Sequence, residues 1–193
     1  MTPHTDSLSR GRRRAHWPLA AALAAVLLAA PLAGCATFSG TVPRCGDPLR
    51  LAIIAQSVPG ASYVPCIREL PQGWSTSGFD PASGGTTFLL NSDRSPARPV
   101  KVRLAAVCRI GRATPSTPRA PGVLTYTRLT SISPRFAGRL YDEFPGGCVS
   151  YSFDFATGPH IALMEQFEGA IGLYPRQQLR LVLKHKLGVE LSP

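Results

Sequence analysis

Five cysteines, at positions 35, 45, 66, 108 and 148, are the most reactive side chains in this 193-residue sequence. A thiolate can be alkylated, oxidised, bound to a metal or used as a nucleophile, and spacing narrows that choice. No C-x-x-C pair occurs, and neither His160 nor His185 lies near a cysteine in sequence. No metal and no cofactor are therefore expected. Other catalytic patterns are missing as well: there is no G-x-S-x-G elbow, S-x-x-K or K-T-G, and no P-loop, dinucleotide fingerprint or EF-hand loop. Asp142 and Glu143 are neighbours, but consecutive residues of a strand face opposite ways, which disqualifies them as paired carboxylates for glycoside hydrolysis. His160 follows Gly158-Pro159 at a helix start and His185 sits between two lysines on a helix. The sequence thus points away from an enzyme and to no catalytic residue. A small extracytoplasmic hydrolase using His160 as base is the alternative.

The chain before Cys35 explains that thiol best. Arg10, Arg12, Arg13 and Arg14 form a basic segment, followed by an uncharged Ala/Leu-rich run over residues 19–32. Such a run suits the apolar core of a signal peptide and falls short of the ~20 residues a spanning helix needs. Leu32-Ala33-Gly34-Cys35 comes next and resembles the lipobox of bacterial lipoproteins. The resemblance implies that the Cys35 thiol carries diacylglycerol and that residues 1–34 are removed. Two acyl chains on one residue satisfy the need for two membrane signals, at ~0.8 kcal/mol per buried CH₂. An uncleaved signal anchor is the competing arrangement. Either places the domain at the outer face of the cytoplasmic membrane, and nucleic acid is not an expected partner. The export route, general secretory or twin-arginine, stays open.

With Cys35 assigned to lipid, Cys45, Cys66, Cys108 and Cys148 form an even set in an exported domain, which reads as two disulfides. Three connectivities are possible. Cys45–Cys66 with Cys108–Cys148 is preferred because it closes one bridge in each half, each contributing about 2–4 kcal/mol. One observation counts against it: Cys108 has the parity of the apolar residues in its strand, whereas Cys148 has that of the serines. A bulge at Gly146-Gly147 would reconcile the two.

Residues 1–34 hold four of the 21 basic and one of the 11 acidic residues, so the remaining 159 carry a formal charge of +7. Seven of those cations, Arg94, Arg98, Lys101, Arg103, Arg109, Arg112 and Arg119, fall in one stretch without an acidic residue after Asp93. Lys101, Arg103 and Arg109 share a sheet face if alternation persists, and form a candidate surface for phosphate or carboxylate groups.

These residues need elements to position them. Residues 36–44 are a tether reaching at most about 30 Å, and residues 45–193 read as a single domain. Asp47-Pro48 caps a helix that Ser57-Val58-Pro59-Gly60 ends. Leu70-Pro71-Gln72-Gly73-Trp74 reads as a loop delivering Trp74 into or onto the domain, to pack in the core or, as the alternative, to stack on a sugar ring. Strands are expected over residues 86–91, 100–107, 123–130, 139–144 and 149–155, where apolar and polar residues alternate or β-branched residues cluster. Two helices follow, the second closed by Gly188. The expected fold is α+β: an antiparallel sheet of four or five strands with an N-terminal helix and two C-terminal helices packed on it.

Two further motifs carry a resemblance. Ala55-Gln56-Ser57-Val58-Pro59, followed by Cys66 and Leu70-Pro71-Gln72-Gly73-Trp74, is one; Phe144-Pro145-Gly146-Gly147-Cys148-Val149 is the other. Together they resemble a group of uncharacterised membrane-attached, extracytoplasmic proteins of GC-rich Gram-positive bacteria. The resemblance implies a membrane-attached domain and no activity. The resulting expectation is a lipid-anchored cell-envelope protein, non-catalytic, binding an envelope protein or an anionic wall or lipid component.

Overall fold

The computed structural model describes residues 41–95, 100–156 and 158–191, all within the unit Thr37–Pro193. Cys35, its basic-apolar leader and Arg98 lie outside the described residues.

The fold corrects the expected α+β class. It is mostly β, with nine strands among the described residues rather than four or five. Helix α1 (Pro48–Ser57) leads into strands β1 (Tyr63–Ile67), β2 (Trp74–Ala82), β3 (Gly85–Ser92) and β4 (Val100–Ala105). Then come β5 (Thr114–Ser116), β6 (Leu124–Ser131), β7 (Phe136–Phe144) and β8 (Gly147–Phe155). Helix α2 (His160–Ala170), strand β9 (Ile171–Pro175) and helix α3 (Arg176–Leu187) complete the described order. Seven strands form one antiparallel sheet in the order β2-β3-β4-β8-β7-β6-β5, while β1 and β9 pair separately.

The extra strands are those without clean alternation. β2 and β5 are the two edges of the large sheet, and they contain Pro81 and Pro115. An edge strand tolerates proline because one row of its amides needs no partner. β1 contains Pro65 and pairs only with β9, a five-residue strand set between two helices.

One face of the large sheet is apolar. Val100, Val102 and Leu104 of β4, and Val149, Tyr151, Phe153 and Phe155 of β8, are buried with Phe88, Leu90, Leu140 and Phe144. The helices cover this inner face through Leu51 and Ile54, Leu163 and Phe167, and Leu179 and Leu183, all in the same cluster. The Phe167 ring lies 5.8 Å from Phe153 and 6.3 Å from Tyr151 and Phe155, a geometry that favours tilted aromatic contacts. Asp47 caps α1, its side chain accepting from the Arg50 amide, and Gly188 ends α3 in the left-handed region.

The second motif closes the β7–β8 hairpin. Pro145 and Gly146 form its two-residue turn, since Phe144 pairs with Gly147. The Ser62 amide donates to the Pro145 carbonyl at 3.0 Å, so the loop after α1 lies directly on the turn. A Cβ at Gly146 would overlap the Gly60 carbonyl, and one at Gly147 would come within 2.8 Å of the Ala61 Cβ. The loop directly after Pro59, the end of the first motif's leading segment, therefore lies against the second motif, and Gly60, Gly146 and Gly147 are what let the backbones touch.

Gly146→Ala is expected to cost about 3 kcal/mol, combining left-handed strain with overpacking. Gly84 also has positive φ but open space around it, so Gly84→Ala should cost only about 1 kcal/mol. Urea denaturation of both variants checks this; equal losses would remove the role of the Gly60 contact.

Candidate functional site

Both disulfides follow the preferred pairing. Cys45–Cys66 spans 5.0 Å and Cys108–Cys148 spans 5.7 Å between Cα atoms. The parity conflict has a simple resolution, and it is not a bulge. β4 stops at Ala105, so Cys108 lies beyond the strand and alternation no longer fixes its side. Cys148 sits opposite Ala105 and Glu143, on the outer face of the sheet with Ser150 and Ser152.

The chain between β4 and β6 forms a strap. Residues 106–113 leave β4 in the middle of the sheet and reach β5 at its far edge, passing over the outer face where Cys108 is bonded to Cys148. The Gly111 backbone comes to the side chain of Arg128, a residue of that face. Tyr141 is only 2 % exposed there, and its hydroxyl has no hydrogen-bond partner among the described residues. Beyond β5 the chain turns to the inner face, where Arg119 enters the core.

Arg119 meets a buried carboxylate. Asp142, 0 % exposed, accepts from Arg119 Nη1 at 3.0 Å, Tyr151 OH at 2.7 Å and Thr125 Oγ1 at 2.8 Å. Arg119 Nη2 also donates to the carbonyls of Glu168 and Ile171, and its guanidinium lies 5.1 Å above the Tyr151 ring. Burial works against the Arg119 cation, but Tyr151 and Asp142 outweigh it and raise its pKa. Burial pushes the Tyr151 hydroxyl well above its ordinary range; Arg119 opposes this and Asp142 reinforces it. Burial also raises Glu168 against the pull of Arg119. Every strong donor here is aimed at a protein acceptor, so the network is structural. Sequence reasoning placed Arg119 only in a basic stretch and treated Asp142 only as a neighbour of Glu143.

The outer face carries the accessible charge. Lys101 and Arg103 of β4 are exposed and share that face, two residues apart. Arg109 is exposed on the strap, one residue past the disulfide, rather than on the sheet. Two cations missed in the sequence join them: Arg139 of β7 and Arg128 of β6, both exposed. Lys101 pairs with Ser152, Ser152 with Arg139, and Arg139 with Arg128, making one row across four strands. The signal for these two residues was their alternation with Leu140 and Thr127, which puts them opposite the apolar side. Glu143 lies on this face at one end of the β7–β8 pair, and Asp154, near the other end, is engaged by Arg135.

The remaining candidates separate. His160 stacks on Phe136 with ring centroids 5.7 Å apart, and its Nε2 has no hydrogen-bond partner among the described residues. No nucleophile among the described residues is bonded to it. His185 is exposed. Trp74 is buried and donates from Nε1 to Gln166 at 2.9 Å, so it packs rather than offering a stacking face. Among the described residues no group of His, Cys, Asp or Glu is arranged to hold a metal ion, and no helix is long and apolar enough to cross a membrane.

Compared with protein-family models, curated proteins and solved structures, the chain matches none of them.

Below pH 10 Tyr151 is neutral whether folded or unfolded. Above it the unfolded phenol ionises while burial keeps the folded one protonated, so stability falls as pH rises through about 10. Tyr151→Phe should cost about 1–3 kcal/mol at pH 7, from the donor lost to Asp142. It should also reduce the alkaline slope by one proton. Denaturation midpoints at pH 7 to 11 provide the check; an unchanged slope would mean that Tyr151 does not titrate on unfolding.

Proposed function

We propose that this protein is a lipid-anchored, non-catalytic binding domain at the outer face of the cytoplasmic membrane, whose outer sheet face holds an anionic envelope component. The observation that carries the reading is the alignment of Lys101, Arg103, Arg128 and Arg139 on one sheet face, beside a strap bearing Arg109. Cross-strand neighbours lie about 4.8 Å apart, so these cations are close enough to raise the local potential together. Arg128 and Arg139 stand directly opposite each other, a like-charge pair that is destabilising unless an anion lies between or over them. The inner face is filled by helices and takes no part. Anchoring through Cys35 would hold the face near anionic headgroups and wall polymers, where electrostatic capture falls off within a Debye length of about 8–10 Å.

The surface is tested with lipidated protein extracted in mild detergent and applied to immobilised polyphosphate. Lys101→Glu with Arg103→Glu should at least halve the salt concentration needed for elution. The exposed α3 pair Lys184→Glu and Lys186→Glu, with the same charge change, should have a smaller effect. Equal effects would reduce the reading to net charge alone.

Anchoring is tested separately. Cys35→Ser should abolish incorporation of radiolabelled fatty acid and leave an unprocessed precursor; persistent labelling would refute the lipid attachment.

A further inference from the structure

The row of cations contains a concavity. About 370 Å³ lies between β6, β7 and β8, lined by Arg128, Thr130, Arg139, Ser152 and Asp154, with Gly138 and Phe153 behind them. Its shape follows from backbone features. The β6–β7 register shifts between Leu129 and Ser131, a bulge of the kind that re-aims side chains beside binding sites. Gly138, opposite Leu129, has no room for a side chain: a Cβ would lie 2.6 Å from the Arg128 carbonyl and 2.9 Å from the Phe153 ring.

We propose that this concavity binds a phosphate ester, its phosphoryl oxygens held between the guanidinium groups of Arg128 and Arg139. The assignment rests on the reading of the outer face as anion-binding and specifies the ligand. Two arginines on the lining of one space suit a tetrahedral phosphoryl group, whose two or three unesterified oxygens point away from one another; the two oxygens of a carboxylate lie side by side, and one fork satisfies both. The Ser152 and Thr130 hydroxyls lie on the lining as further donors. Neither Arg128 nor Arg139 has a carboxylate partner among the described residues, whereas Asp154, also on the lining, is engaged by Arg135. The local charge therefore remains positive where the phosphoryl group would sit. The space is open and larger than a bare ion requires, leaving room for the esterified group.

Glycerol 3-phosphate is the probe, titrated into lipidated protein in detergent and followed by calorimetry and ³¹P line broadening. Saturable binding is expected, with Arg128→Gln and Arg139→Gln each weakening it at least tenfold and Lys186→Gln, on α3, leaving it within twofold. Circular dichroism and the urea midpoint confirm that the variants are folded. Reconstitution into phosphatidylcholine vesicles with or without phosphatidylglycerol distinguishes the source. Competition by phosphatidylglycerol identifies a lipid headgroup as the physiological ester; undiminished binding identifies a soluble or polymeric one. Absence of saturable binding, or binding unaffected by both arginine variants, overturns the phosphate site. If polyphosphate retention still depends on Lys101 and Arg103 in that case, the broader reading of the face survives. Loss of both results removes the two together.

Discussion

Asp142 has no exposed surface and sits on the sheet face that buries Tyr151, Phe153 and Leu140. A carboxylate in that position is costly unless it is paired and hydrogen-bonded. Three side chains from outside its own strand meet the requirement: Arg119, Thr125 on β6 and Tyr151 on β8. Because Arg119 also binds the carbonyls of Glu168 and Ile171, the same interaction ties the α2–β9 junction to the sheet. The strap is thereby fastened twice, by an ion pair on the inner face and by Cys108–Cys148 on the outer one. Between these points it passes around the β5 edge. The exposed cations keep their places because the strands beneath them are held from both sides.

Much of this was legible where one physical signal dominated. Asp47-Pro48 and Gly188 mark helix ends through local capping, and the alternation of Val149, Tyr151, Phe153 and Phe155 marks β8 with one buried face. β1, β2, β5 and β9 were not legible, because their prolines, glycines or short lengths weaken alternation and their pairing partners are remote. That loss turned a nine-stranded, mostly β fold into an apparent four- or five-stranded α+β one.

The cation surface was visible only in part for the same reason. Lys101 and Arg103 share a strand, so alternation alone groups them. Arg139 and Arg128 join through register, which depends on pairing across β8 and β7. Arg109 reaches that side through a disulfide rather than through a strand. Asp142 is the opposite case: it alternates with Leu140 and Phe144 on the apolar side, but nothing local shows that an arginine 23 residues earlier neutralises it.

The two edges of the large sheet have a consequence for crowding. On the proposed lipid anchor, copies of the protein would meet one another in two dimensions, repeatedly and in similar orientations, which is the situation in which open strand edges add to each other. Here β5 has only three residues and contains Pro115, while β2 carries Pro81 and a break in register after Ser77. Neither offers a long, flat ladder to a neighbour. The features that hid these strands from the sequence would keep the chain separate at high surface density.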